Sequence, residues 1–264
     1  MTFIDSHCHL DFACFDADRE AVISSVTAAI VPAVGADNWS AVLALASNHP
    51  NVYPALGIHP CFIPTEQDVT PLIDQLTALI TSNRSNIVAI GECGLDFVHA
   101  NDEAQRQLQL VYFTAQLQLA KQFALPVILH HRKSHDIILR SLRQRQLAQG
   151  GVIHAFSGSY QQAMQYIDLG FKLGIGGTIT YDRAIKTRQV IARVPLEALV
   201  LETDAPDMPI YGRQGERNSP QFIGEIFAVL CLLREESAQV IEQTLLATTK
   251  DLFGLTFSPE KNYD

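Results

Sequence analysis

The sequence predicts an α/β chain folded as a single (β/α)8 barrel over residues 1–264, and three observations lead there. Eight short apolar runs alternate with segments of helical period, which implies parallel strands joined by crossovers. Five of those runs end in metal-competent histidines or carboxylates besides the third, which ends in His59, and a barrel gathers its strand ends on one face. An open doubly wound sheet would not bring the first, fourth, fifth, sixth and eighth ends together. The chain of 264 residues, 47% hydrophobic and 18% charged, has ample material for one large core.

The first run, from Phe3, delivers His7 and His9 at a spacing that puts both imidazoles on one face of a strand. Arg19 to Thr27 reads as a short helix, and Ala28 to Gly35 as the second strand. Asp37 or Asn38 is expected to cap a helix running to about Asn48. Val52 to Pro60 forms the third strand, with His59 at its end. Thr70-Pro71 supplies an N-cap with proline in the first helical position, followed by Leu72, Ile73, Leu76, Leu79 and Ile80 at helical period. Ile87 to Asp96 is the fourth strand and carries Glu92 between two glycines.

A long helix from Asn101 to about Ala124 stops at Leu125-Pro126, because a residue before proline leaves the helical region. Val127 to Arg132 is the fifth strand, followed by a helix from Ser134 to about Gln149. Gly151 to Gly158 is the sixth strand, with a helix from Tyr160 to Leu169 closed by Gly170. Phe171 to Gly177 is the seventh. A helix from Asp182 to Arg193 leads to Leu199 to Asp204, the eighth strand, and helices over 221–233 and 237–252 complete the chain.

The net charge of −9 argues against broad, sequence-independent attraction to nucleic acid and leaves room for a local basic pocket. No apolar run reaches the roughly 18 residues of a membrane span. Five cysteines without CxxC spacing, and no signal peptide before the first strand, fit reduced thiols and a cytoplasmic location. No obligate protein partner is expected.

His7, His9, Glu92, His130 or His131, His154 and Asp204 all stand where strands end. Six nitrogen and oxygen ligands exceed what one catalytic zinc needs, so two divalent metals are expected, with Zn, Mn and Mg all compatible. Glu92 could bridge them, with His7, His9 and Asp204 around one ion and the fifth- and sixth-strand histidines around the other. Such a pair activates water and stabilises both oxygens of a phosphoester displacement. Cys8 should point to the opposite face and pack. The glycines of Gly174-Ile175-Gly176-Gly177 either cradle a phosphate or permit close packing.

Asp5-Ser6-His7-Cys8-His9-Leu10-Asp11, Gly57-Ile58-His59-Pro60, Gly91-Glu92-Cys93-Gly94-Leu95-Asp96, His130-His131-Arg132, His154-Ala155-Phe156-Ser157-Gly158 and Glu202-Thr203-Asp204-Ala205-Pro206 resemble, in order and spacing, the TatD-type deoxyribonucleases among the metal-dependent hydrolases. The resemblance spans nearly the whole chain. It implies a TIM barrel, divalent cations and hydrolysis of DNA phosphodiesters or of small phosphoesters. It also implies that Asp204 both binds metal and accepts the proton of the attacking water, and that His59, Arg132 and the Asn218 loop face substrate. Phe97-Val98 departs from the tyrosines common in relatives, as does Arg217-Asn218-Ser219-Pro220 from the usual acid before proline. The remaining readings are an amidohydrolase acting on a cyclic amide or lactone, and a metal-stabilised binding module.

Between the adjacent histidines, alternation groups Ile128, His130 and Arg132 on one face and Leu129, His131 and Lys133 on the other. The His-x-Arg resemblance selects the first set. His130 is therefore the expected ligand, and His131 should turn away.

Overall fold

The computed structural model describes residues 2–65 and 68–256. Eight parallel strands hydrogen-bond in chain order: β1 (Ile4–Asp5), β2 (Ala28–Pro32), β3 (Val52–Leu56), β4 (Ala89–Asp96), β5 (Val127–Arg132), β6 (Gly151–Ile153), β7 (Phe171–Ile175) and β8 (Leu199–Leu201). The ring closes between β1 and β8 through Ser6 N to Leu201 O at 2.9 Å, Asp204 N to His7 O at 2.9 Å and His9 N to Ala205 O at 2.7 Å. Asp5 seals the same seam, accepting from Thr203 N at 3.0 Å and Thr203 Oγ1 at 2.6 Å. This is a TIM barrel.

Nine helices stand among the described residues: α1 (Arg19–Ser24), α2 (Ala36–Asn48), α3 (Thr70–Ser82), α4 (Glu103–Phe123), α5 (His135–Arg145), α6 (Tyr160–Asp168), α7 (Ile185–Ile191), α8 (Ile223–Leu233) and α9 (Ala238–Phe253). Two cores follow from the strand alternation. Ile4, Ala28, Ile30, Ala55, Ala89, Ile128, Val152 and Val200 fill the barrel, and Phe253 and Leu255 join them. The residues of opposite parity, such as Leu56, Leu129, Ile153 and Leu173, pack outward against the helices.

The ends of several elements differ from the sequence expectation. The ladders of β1, β6 and β8 are short, so His7, His9, His154 and Asp204 lie just past them. Neither Asp37 nor Asn38 caps α2. Gly35 stands at the N-cap, and Asn38 in the first turn reaches back to accept from Val34 N and Gly35 N. Thr70 is likewise the first helical residue rather than a cap, and Asp68 Oδ1 accepts from its amide at 3.0 Å. α5 ends at Arg145 because Gln146 turns left-handed with φ 49°.

Strict alternation would have pointed Glu92 out of the barrel, since Ala89 faces in. The register between β4 and β5 shifts between Ile90 and Cys93. That bulge adds one residue, restores Cys93 and Leu95 to the outer core, and turns Glu92 inward.

Candidate metal centre

The strand ends converge on a cavity of about 490 Å³, lined among others by His9, His59, Glu92, His130, His154 and Asp204. His7 lies beneath it, fully buried. Its Nε2 is 3.3 Å from His9 Nε2, 3.1 Å from Glu92 Oε2 and 3.6 Å from Asp204 Oδ1. His9 Nε2 is 3.8 Å from each of the same two oxygens. Ligand atoms held tetrahedrally at about 2.0–2.2 Å from one ion stand about 3.3–3.6 Å apart. His7, His9 and Asp204 therefore present donor atoms close enough to hold one cation, with Glu92 Oε2 beside His7.

Glu92 extends a second oxygen to the other side. Oε1 is 3.2 Å from His130 Nδ1, while Asp204 Oδ1 is 3.6 Å from His154 Nε2. The Glu92 carboxylate thus touches His7 through one oxygen and His130 through the other. Among the described residues His7, His9 and Asp204, His7, His154 and Glu202, and His59, Glu92 and His130 form groups that could hold an ion.

Supporting groups orient the rings. His9 Nδ1 lies 3.2 Å from Pro32 O, a pure acceptor, so that nitrogen carries the proton and Nε2 presents its lone pair inward. His130 Nε2 is 3.0 Å from Asp96 Oδ2, leaving Nδ1 to face Glu92. His154 Nδ1 lies 2.9 Å from Glu202 Oε1, off the line of a well-formed hydrogen bond, with Nε2 toward Asp204. A Cβ on Gly174 would stand 2.1 Å from Glu202 Oε2, and one on Gly177 would stand 2.5 Å from Met208 O. The glycine run of the seventh strand therefore gives room to the Glu202 carboxylate and to the loop after β8, not to a phosphate.

His59 is built the other way round. Its Nδ1 accepts from Cys61 N at 3.1 Å, so the neutral ring carries its proton on Nε2, which points at Glu92 Oε1 from 3.6 Å. Burial holds this ring neutral, with a pKa lowered to about 3. His59 is a donor in the cavity, not a ligand.

The charge balance calls for cations. Burial would lower His154, yet Glu202 and Asp204 raise it to about 10. Burial would raise Glu92, but His7, His59 and hydrogen bonds from His130 and His7 hold it well below the usual carboxylate range. Burial pushes Asp204 up, against the opposing pull of His154, His7 and His9. Carboxylates and imidazoles packed this closely are donors of the kind that divalent ions take.

Arg132 stands at the cavity wall, its side chain 55% exposed and Nη1 3.5 Å from Asp96 Oδ2. Asn218 does not face the cavity, contrary to expectation. It is fully buried, and its Nδ2 donates to Thr203 O, Asp207 O and Met208 O, clamping the loop after β8. Cys8 packs outward, with Sγ 3.9 Å from Ile30 O. Asp96 and Glu202 were not singled out in the sequence. Their parity with Glu92 and Asp204 past the bulge was the available signal.

The residues 4–254 match the family "TatD related DNase". The chain belongs to the TatD-related DNase family. An uncharacterized metal-dependent hydrolase of Escherichia coli K12, YjjV, is 47% identical over 258 residues, covering 96% of this chain and 98% of the relative. The crystal structure of that TatD homologue superimposes with a TM-score of 0.91 over 96% of this chain and 98% of its own. A protein of Klebsiella pneumoniae named 3'-5' ssDNA/RNA exonuclease TatD is 34% identical over 80% of each chain. The chain is accordingly a TatD-family metal-dependent hydrolase with His, Asp and Glu clusters able to bind metal. Among the described residues no helix is long and apolar enough to cross a membrane.

The two adjacent histidines point to different partners, although His131 also lines the cavity. The His131 ring centroid lies 4.2 Å from that of His135 at the start of α5, whereas His130 meets Glu92 and Asp96. His130→Ala should lose one equivalent of bound metal and nearly all turnover. His131→Ala should keep its metal and lose stability instead. Elemental analysis of the two purified variants checks this, and the opposite pattern would reverse the assignment.

Proposed function

We propose that this chain is a nuclease that hydrolyses phosphodiester bonds of DNA or similar nucleotide substrates with two divalent cations. The observation that carries this reading is the pairing of a cation cage with donors aimed at anionic oxygen. His59 Nε2–H and the Arg132 guanidinium border the same cavity as Glu92 and Asp204. A cyclic amide offers no anionic oxygen to such donors; a phosphodiester offers two. The Klebsiella relative's name supports the same substrate class.

His7, His9, Glu92 and Asp204 would hold one ion, and Glu92, His130 and His154 the other. Bound there, such ions supply a polarised water and neutralise charge on the ester. Asp204, 14% exposed on its side chain and made more basic by burial, would accept the proton of the attacking water. Arg132 can fork onto a phosphate oxygen, steered by Asp96. His59 donates from the facing wall. Asp96 and Glu202 hold the outer nitrogens of His130 and His154, so that with an ion bound the inner nitrogen of each ring would be the one that faces it.

The test is turnover of bis-p-nitrophenyl phosphate and of single-stranded oligonucleotides with added Mn²⁺, Mg²⁺ or Zn²⁺, against a panel of cyclic amides. Phosphodiester hydrolysis is expected. Turnover of a cyclic amide with none of either phosphodiester would overturn the reading.

A further inference from the structure

A second and a third depression adjoin the metal cavity on the rim above β6, β7 and β8. The second, about 570 Å³, lies between the start of α6 and α7 and meets the metal cavity at Ser157. The third, about 400 Å³, meets the second at Thr187 and the metal cavity at Met208. The three abut in turn along the rim as a trench.

Its chemistry is cationic and aromatic. Lys186 and Arg193 line the second depression, and Arg183 lines the third, with no carboxylate in either wall. Among the described residues Arg183, Lys186 and Arg193 enter no ion pair, whereas Arg19, Arg188, Arg213, Arg217 and Arg234 are each matched with an acid. The acid on this rim, Asp182, is taken up by Arg188 at 3.0 Å. Other described cations, Arg84, Arg106 and Arg140 among them, also lack an ion pair; what distinguishes these three is that they line depressions adjoining the metal cavity in a chain of net charge −9. The guanidinium carbon of Arg193 sits 4.5 Å over the Tyr160 ring, and that of Arg183 sits 4.9 Å over Tyr181. A groove pairing cations with aromatic faces is the general design for a single strand, with phosphates tracked by charge and bases stacked on rings.

We propose that this trench carries the part of a single-stranded polynucleotide that extends beyond the scissile phosphate, with Lys186 and Arg193 on its backbone and Tyr181 as a base platform. The proposal rests on the nuclease reading above and adds the path of the strand. Lys186 and Arg193 line the second depression and not the metal cavity, so the trench should discriminate by substrate length.

The experiment compares wild type with the double variant Lys186→Glu/Arg193→Glu, and with Lys186→Arg/Arg193→Lys as the charge-conserving control. Each is assayed on bis-p-nitrophenyl phosphate and on a single-stranded oligonucleotide of about eight nucleotides, across a range of salt. Charge reversal should lower the oligonucleotide-to-small-ester ratio of kcat/KM roughly tenfold or more, chiefly through KM, as expected for losing phosphate contacts. The salt slope for the oligonucleotide should flatten by about 1.4, since each contact to a single strand contributes about 0.7. The control should restore both. An unchanged ratio and slope in the reversed variant, with wild type cleaving the oligonucleotide, would overturn the trench alone. Wild type that hydrolyses the small ester but no oligonucleotide would overturn the trench and the nuclease reading together.

Discussion

Asp204→Asn should lower phosphodiester turnover by about 10²–10⁴, the usual contribution of a positioned general base. The substitution keeps the shape of the side chain and one oxygen toward His7, His9 and His154. It removes the basicity that burial confers on the carboxyl. Asp204 also sits in a left-handed backbone conformation, φ 60°, which asparagine tolerates and most residues do not. The variant should therefore fold with an unchanged melting temperature and retain metal, separating proton transfer from assembly. The sign of the pH effect follows from the role. The base works ionised, so wild-type kcat should rise with pH through the raised Asp204 value, and this acid limb should vanish in the asparagine variant. A variant within about threefold of wild type would remove Asp204 from the chemistry.

Glu92→Gln should have a still wider effect, because each oxygen of Glu92 serves a different group of donors. Oε2 lies 3.1 Å from His7 Nε2, and Oε1 lies 3.2 Å from His130 Nδ1. Glutamine offers one oxygen and one amide NH₂, so one group would face hydrogens instead of a lone pair. Metal content should fall by at least one equivalent. Turnover should drop by roughly 10³ or more, beyond the ~10–100-fold typical of altering a group that only supports a ligand. Elemental analysis and steady-state kinetics on the same preparation check both. Full metal content with near-normal turnover would show that Glu92 does not bridge.

Much of this architecture was legible from the residues. Strand order and the convergence of histidines followed from apolar runs ending in polar groups, because parallel strands in a barrel leave those ends no other place. The spacing of His7 and His9 anticipated two nitrogens 3.3 Å apart even though the ladder of β1 stops at Asp5. What escaped was long-range or backbone-dependent. The β4 bulge depends on its pairing with β5, so the inward turn of Glu92 had no local mark. Asp96 and Glu202 act through rings on other strands. Asn218 was expected at the substrate by resemblance, yet its amide is held by three carbonyls of the preceding loop. A polar residue in a loop motif can thus be a fastening as easily as a contact.

The seam between β1 and β8 bears on how the protein is made. Asp5 and Thr203, which seal it, are 198 residues apart. At about 5–20 residues per second, a ribosome would take roughly 10–40 s to bring the second partner into existence after the first. During that interval the nascent chain carries His7 and His9 without Asp204, and the edges of its growing sheet lie open to other chains. The complete cation site cannot exist before the last strand docks, so full loading follows closure of that seam, and any truncation ahead of Thr203 leaves an unsealed sheet rather than a smaller barrel.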